Sequence, residues 1–222
     1  MRILITGAFG QLGHSLQSVL SKKSNYELVC TGRKIKKSQE GIPLDIRNQV
    51  ALKEIINTTA PDILINLAAM TNVDACELNP KLAGEINVAG LEHICNSFKG
   101  KIIHLSTDYV FDGTSGPYKE DDPLNPISIY GKTKLASEHI LLEEDTKHLV
   151  IRGNVLYDYS PHTSASFLNW VVSSLKGNQE IKVVEDQFNN PTWTRSMSDI
   201  IELSIENDLE GIIHWGDSEH IS

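Results

Sequence analysis

Short apolar runs alternate along this chain with segments whose apolar residues recur at helical spacing. Ile3-Leu4-Ile5 is followed by Leu12, Leu16, Val19 and Leu20, which predicts a strand over 2–6 and a helix over 11–22. The same reading gives a strand at 26–31, a helix at 49–59, a strand at 63–66 and a helix at 80–98. A strand at 101–106, a helix at 128–143 and a strand at 148–152 follow. Such alternation predicts an α/β fold, a doubly wound parallel sheet with helices on both faces. After residue 153 the pattern loosens. It gives a helix around 166–176, a short strand at 181–184, a proline-bearing loop, a helix at 198–206 and a strand at 212–215.

Parallel sheets of this kind bind ligands at the carboxyl ends of their strands. Gly7, Arg33, Ala68-Ala69, Thr107 and Gly153-Asn154 all fall there, so five strand ends converge on one crevice. The first end opens Thr6-Gly7-Ala8-Phe9-Gly10-Gln11-Leu12-Gly13. Glycines between a strand and a helix allow a tight turn, close backbone approach to a pyrophosphate and close helix–sheet contact. The helix N-terminus then offers its free N–H groups to the phosphates. This predicts a Rossmann-type dinucleotide site, and the G-x-x-G-x-x-G spacing points to its short-chain dehydrogenase form. Where an NAD enzyme carries an acid for the ribose hydroxyls, this chain reads Thr31-Gly32-Arg33-Lys34. A guanidinium there pairs with a 2′-phosphate, so NADPH is the expected cofactor, with NADH possible.

Tyr130 and Lys134 stand four apart on the helix predicted at 128–143 and so share a face. Ser106-Thr107-Asp108-Tyr109 supplies a hydroxyl at the end of the preceding strand. The trio suits proton transfer to a carbonyl. A phenol titrates at about 10 and needs a neighbouring ammonium to stabilise its phenolate near neutral pH.

With 222 residues the chain can hold one domain and a smaller lobe. Its net charge of −9 argues against general binding to nucleic acid or anionic membranes. It also leaves an anionic substrate dependent on local positive charge, for which Lys134, Arg152 and Arg195 are candidates. No apolar run reaches the roughly 20 residues of a membrane helix, and the start of the chain does not read as a signal peptide. Cys30, Cys76 and Cys95 are scattered without C-x-x-C spacing, which favours free thiols in a reducing cytoplasm. The histidines show no metal-ligand spacing, so no catalytic metal is expected.

Together these motifs resemble the extended short-chain dehydrogenase/reductase superfamily, and within it the dTDP-4-dehydrorhamnose reductase family. The carrying segments are residues 7–13, Asn66-Leu67-Ala68-Ala69-Met70-Thr71-Asn72-Val73-Asp74, Ser106-Thr107-Asp108-Tyr109-Val110-Phe111-Asp112-Gly113, Tyr130-Gly131-Lys132-Thr133-Lys134-Leu135 and Asp186-Gln187-Phe188-Asn189-Asn190-Pro191-Thr192. The resemblance implies reduction at C4 of a 4-keto sugar nucleotide, dTDP-4-dehydrorhamnose to dTDP-rhamnose. Thr107 would hydrogen-bond the carbonyl oxygen, Tyr130 would deliver the proton, and Lys134 would tune Tyr130 while holding the nicotinamide ribose. It further implies cofactor contacts at Gly7, Phe9, Gly10, Gln11, Leu12, Arg33, Asp45, Ile46, Ala68, Ala69, Tyr130 and Lys134. Substrate contacts would fall at Thr71, Val73, Thr107, Asp108 and Asn154. The residues themselves leave Asp45 open as a cap for the helix near Asn48, and Ala68-Ala69 open as core.

The chain departs from the resemblance at Val155, where the family often carries an aromatic beside the sugar. It is expected to divide into a dinucleotide-binding domain, 1–153 with about 195–217, and a small, incomplete substrate lobe, 154–194 with 218–222. The helix at 166–176 carries a broad apolar face (Phe167, Leu168, Trp170, Val171, Val172, Leu175) that needs a cover. A monomer or homodimer is expected. Two other readings stay open: a sugar-nucleotide epimerase with the same Tyr–Lys pair, and a non-catalytic cofactor-binding subunit like the reductase-like partner of methionine adenosyltransferase. A dehydratase is disfavoured, because Asp108 is followed by Tyr109 instead of the glutamate that chemistry requires.

Overall fold

The computed structural model describes residues 1–144, 146–159, 167–183 and 186–219. Its strands are β1 (Arg2–Thr6), β2 (Glu27–Gly32), β3 (Ile42–Pro43), β4 (Ile63–Asn66), β5 (Lys101–Thr107), β6 (His148–Gly153), β7 (Leu156–Tyr157), β8 (Thr192–Trp193) and β9 (Gly211–Trp215). The helices are α1 (Gln11–Leu20), α2 (Gln49–Thr59), α3 (Val73–Leu78), α4 (Pro80–Gly84), α5 (Gly90–Ser97), α6 (Ile129–Glu143), α7 (Phe167–Lys176) and α8 (Thr194–Glu206). Seven strands form one parallel sheet in the order β3-β2-β1-β4-β5-β6-β9, while β7 and β8 pair separately. The order reverses between β1 and β4, which opens a crevice at the carboxyl ends of the strands.

Period-two alternation divides each strand between two cores. Ile3, Ile5, Ile65, Ile103 and Ile151 face α1 and α8, meeting Leu12, Leu16, Met197 and Ile201. Leu4, Leu64, Ile102 and Val150 face α2, α5 and α6, meeting Leu52, Ile56, Leu91, Ile94 and Leu141. Both faces are dry, which is why the strands read as continuous apolar runs in the sequence.

Three expectations change. The helix expected at 80–98 is α4 and α5 joined by a π-helical turn, Glu85–Ala89, whose extra residue turns Asn87 inward, with 2% exposed. Residues 181–183 form no strand, and 184 lies outside the described residues. Helix α8 begins at Thr194 instead of 198 because distant carboxylates fix its first turn. Asp158 Oδ2 accepts from Thr194 Oγ1 at 2.8 Å, and Asp217 Oδ2 accepts from Trp193 N at 2.8 Å. On α7 the side chains of Phe167, Trp170 and Leu175 are exposed.

Candidate active site

At the first strand end the chain turns through Gly7 in a left-handed conformation, φ 67°. A β-carbon there would also stand 2.8 Å from the Leu67–Ala68 backbone, so the position requires glycine. Gly10 then caps α1 in an extended conformation without any side-chain hydrogen bond. Gly10 has no side chain with which to cap the N–H groups of the first turn. Gly7, Phe9, Gly10, Gly32, Arg33 and Lys34 line one open cleft of about 200 Å³. The Phe9 ring lies against Gly32 and Gly41 as its wall. The glycine turn and the exposed cations of residues 33 and 34 are thus brought to one place.

At the far side of the crevice, Thr107 ends β5 and leads into a 3-10 turn, Asp108–Val110. Its hydroxyl accepts from Tyr109 N at 3.2 Å and donates to Asp108 Oδ1 at 3.1 Å. Ser128 caps α6 by accepting from Gly131 N at 3.0 Å, and Glu77 Oε1 accepts from Ile129 N at 2.6 Å. Gly131 lets α6 approach the turn, since a β-carbon there would collide with the Tyr109 carbonyl oxygen. Tyr130 is thereby set beside Tyr109, ring centroids 5.7 Å apart and edge to face. Burial pushes the Tyr130 phenol up from its ordinary value, the polar Thr107 hydroxyl draws it down, and the Asp108 charge raises it. The phenol is therefore held protonated, the form that can give a proton. Burial likewise raises Asp108 to about 6, against the pull of its hydrogen bonds.

Lys134 sits one turn on from Tyr130, and its side chain reaches β5. Its Nζ donates to Leu105 O at 2.6 Å and lies 3.0 Å from His104 Nε2. Burial lowers its pKa to about 8, while Glu138 acts to raise it. Two residues that motif reading passed over brace this region. Asn87 accepts from Met70 N at 2.7 Å and donates to Met70 O at 3.1 Å and Thr133 Oγ1 at 3.0 Å. It ties the loop after β4 to α6. His104 is the other. A polar residue inside the apolar run 102–105 was the sequence signal available for it.

Other candidates are differently placed. Arg152 does not face the crevice as a free cation; it forms a buried ion pair with Glu138 at 2.8 Å. Arg195 pairs with Asp199 at 2.8 Å. The Asp45 carboxylate pairs with Arg47 at 2.6 Å, and Asn48 caps α2 instead, accepting from Ala51 N. The Ile46 side chain is core, packed against Gly90, and Ala68 packs against the same core. Thr71 is exposed and Val73 half-buried at the start of α3. Asn154 follows β6, its buried Oδ1 without a hydrogen-bond partner, and Val155 beside it has a φ of 24°. Strain next to an orphaned polar atom at a strand end marks a ligand-facing position. Beside it in the ribbon, Tyr157 pairs with Trp193, which is exposed.

A helix start with glycine as its cap, beside a cationic cleft, suits a phosphorylated dinucleotide. Among the described residues no His, Cys, Asp or Glu cluster could hold a metal ion, and no helix is long and apolar enough to cross a membrane. All three cysteines are free.

Comparison with known proteins agrees with this geometry. A dTDP-4-dehydrorhamnose reductase of Aggregatibacter actinomycetemcomitans is 34% identical over 95% of this chain and 69% of its own length. The structure of a dTDP-4-dehydrorhamnose reductase from Bacillus anthracis in complex with NADP is 32% identical, with a TM-score of 0.89 over 100% of this chain and 76% of that one. Methionine adenosyltransferase 2 subunit beta of Xenopus tropicalis is 31% identical over 100% of this chain and 68% of its own length. Residues 1–222 match the family described as RmlD substrate binding domain. The chain belongs to that family, the NAD(P)-dependent oxidoreductases related to dTDP-4-dehydrorhamnose reductase.

Proposed function

We propose that this chain reduces the C4 carbonyl of a nucleotide-activated 4-keto-6-deoxy sugar with NADPH, converting dTDP-4-dehydrorhamnose to dTDP-rhamnose in the cytoplasm. The observation that carries the reading is the Thr107 hydroxyl at the end of β5 acting on the buried Tyr130 phenol of α6, with Lys134 one turn further along the same helix. Bound NADPH supplies the hydride that reaches C4. Arg33 and Lys34 would hold its 2′-phosphate and the Gly10–Leu12 turn its pyrophosphate. Tyr130 gives its phenolic proton to the C4 oxygen as negative charge develops there. The Thr107 hydroxyl orients that oxygen and stabilises its charge. Lys134 stabilises the phenolate that remains on Tyr130. Asp108, Thr71, Val73 and Asn154 border the sugar. The fold supports a division into a cofactor domain, 1–153 with about 195–217, and part of a substrate lobe, 154–194 with 218–222. In that division β9 extends the main sheet beside β6, and α8 packs against α1. Residues 220–222 lie outside the described residues.

The likeness to methionine adenosyltransferase 2 subunit beta favours a second reading, a cofactor-binding subunit without turnover. Incubation with dTDP-4-dehydrorhamnose and 4-deuterated NADPH decides between them. The proposal expects a product heavier by one deuterium, located at C4. Bound but unconsumed NADPH would favour the subunit, and a C4-epimerised product from a 4-hydroxy sugar nucleotide in a parallel incubation, without net cofactor consumption, would favour an epimerase.

A further inference from the structure

Below the catalytic helix, Thr6, Asn66, His104, Lys134 and Ser137 form one continuous polar chain in which every member is buried. Thr6 faces Asn66 across β1 and β4, and Asn66 faces His104 across β4 and β5. Their side chains therefore stand in a row on one face of the sheet. The Thr6 hydroxyl and the Asn66 amide are 2.6 Å apart, and the same amide is 3.0 Å from His104 Nδ1. His104 Nε2 reaches α6, 3.0 Å from Lys134 Nζ and 3.1 Å from Ser137 Oγ. Ser137 itself donates to Lys134 O at 2.6 Å.

We propose that His104 positions Lys134 and, through the Asn66 amide, sets the charge that Lys134 carries. An ammonium has three N–H donors and no acceptor. One donor goes to Leu105 O. A second meets Nε2, which must then be bare, and the third is left for the crevice. Burial, with the Lys134 charge beside it, drives the His104 pKa well below its ordinary value, so the ring stays uncharged. Its one proton then sits on Nδ1 and needs the Asn66 carbonyl oxygen as acceptor, with the Asn66 NH2 turned to Thr6. The opposite orientation, Nδ2 on the ring and Oδ1 on Thr6 as in the structure, puts the ring proton on Nε2. There it faces Ser137 Oγ and the lone pair of an uncharged Lys134. One amide turn thus separates an arrangement that suits the ammonium from one that suits the amine, and with Lys134 lowered to about 8 both lie near neutral pH. The other charges bearing on Nζ are few. Glu138 lies one turn along α6, held in its own pair with Arg152 from β6. Tyr130 and Asp108 lie above.

The use of Lys134 in turnover rests on the reductase reading, but its charge does not, and the test reads the charge directly. The Lys134 15Nζ and 13Cε signals, assigned by their absence in Lys134→Met, are followed by NMR against pH in the full chain. His104→Leu removes the acceptor, and the midpoint is expected to fall by about one pH unit. Asn66→Asp takes the Nδ1 proton, keeps Nε2 bare and adds a negative charge, so the midpoint is expected to rise by about as much. His104→Gln, which offers a carbonyl oxygen, should stay within about 0.3 pH unit of wild type. Opposite displacements in the first two variants support the proposal. A His104→Leu midpoint equal to wild type overturns it. Should His104→Leu not fold, an Asn66→Asp midpoint unchanged or lowered overturns it as well. Wild-type protein that titrates as described yet never oxidises NADPH would overturn the reductase reading alone.

Discussion

Arg152 and Glu138 form a bidentate ion pair between β6 and α6, with side chains only 2% and 0% exposed. Ser106 Oγ donates to the same carboxylate. Arg152 also donates to Glu120 O at 3.1 Å, approaches His214 Nε2 at 3.2 Å, and stacks over the Phe111 ring at 5.4 Å. It locks α6 and the 112–127 loop to the sheet. Arg152→Met should therefore cost about 3–5 kcal/mol, because it strands a buried carboxylate. Adding Glu138→Met should recover most of the loss. Chemical denaturation of both variants measures this. A folded double variant that no longer binds the sugar nucleotide would instead make Arg152 a substrate contact.

That pair also shows where sequence reading stops. Motifs reveal which residues lie at strand ends, because the period-two and helical patterns survive in a fold with two dry sheet faces. The positions of the glycine turn, Thr107 and Tyr130 and the succession of strands and helices in the cofactor half were legible in this way. Arg152 was not: its place at the end of an apolar strand is visible, but its partner Glu138 comes from a helix whose pattern is mixed. Lys134 was legible as a neighbour of Tyr130, yet its direction depends on His104 and Leu105, which no spacing rule connects to it. The start of α8 depends on Asp158 and Asp217, 36 and 24 residues away from the groups they hold.

Tyr130→Phe removes one oxygen and keeps the ring against Tyr109. Turnover with a 4-keto sugar nucleotide should fall by about 10² to 10⁴. NADPH affinity should change little, because the cleft at residues 7–10 and 32–34 is untouched. Stopped-flow NADPH oxidation and fluorescence titration measure the two effects. A variant keeping more than half of the wild-type rate would remove Tyr130 from the proton-donor role.

Arg33→Asp tests the cationic end of that cleft. Replacing the guanidinium by a carboxylate puts repulsion where a 2′-phosphate would sit, and offers an acceptor to a free ribose hydroxyl. NADPH should weaken by at least about tenfold relative to NADH, the scale of one charge-assisted contact. Calorimetric titration of both cofactors into both proteins reads the ratio. An unchanged ratio would show that Arg33 does not read the phosphate.

Asp108→Asn should stabilise the fold at neutral pH and flatten part of its pH dependence. In the folded chain burial raises the Asp108 carboxyl to about 6 from its ordinary 3.8. The folded state then binds this proton more tightly than the unfolded one, so the group's contribution is best below the unfolded value. It is lost as pH rises from about 4 through about 6. Above that window the ionised carboxylate burdens the fold by on the order of 2 kcal/mol, discounted for its partial exposure. Asparagine carries no such burden, and its NH2 can donate to Thr107 Oγ1, leaving the threonine proton for a substrate oxygen. Unfolding midpoints of the two proteins should therefore diverge between pH 4 and 6, in favour of Asp108→Asn, and run parallel above pH 7. Parallel curves across the whole range would mean that Asp108 ionises in the folded protein as readily as in the unfolded chain.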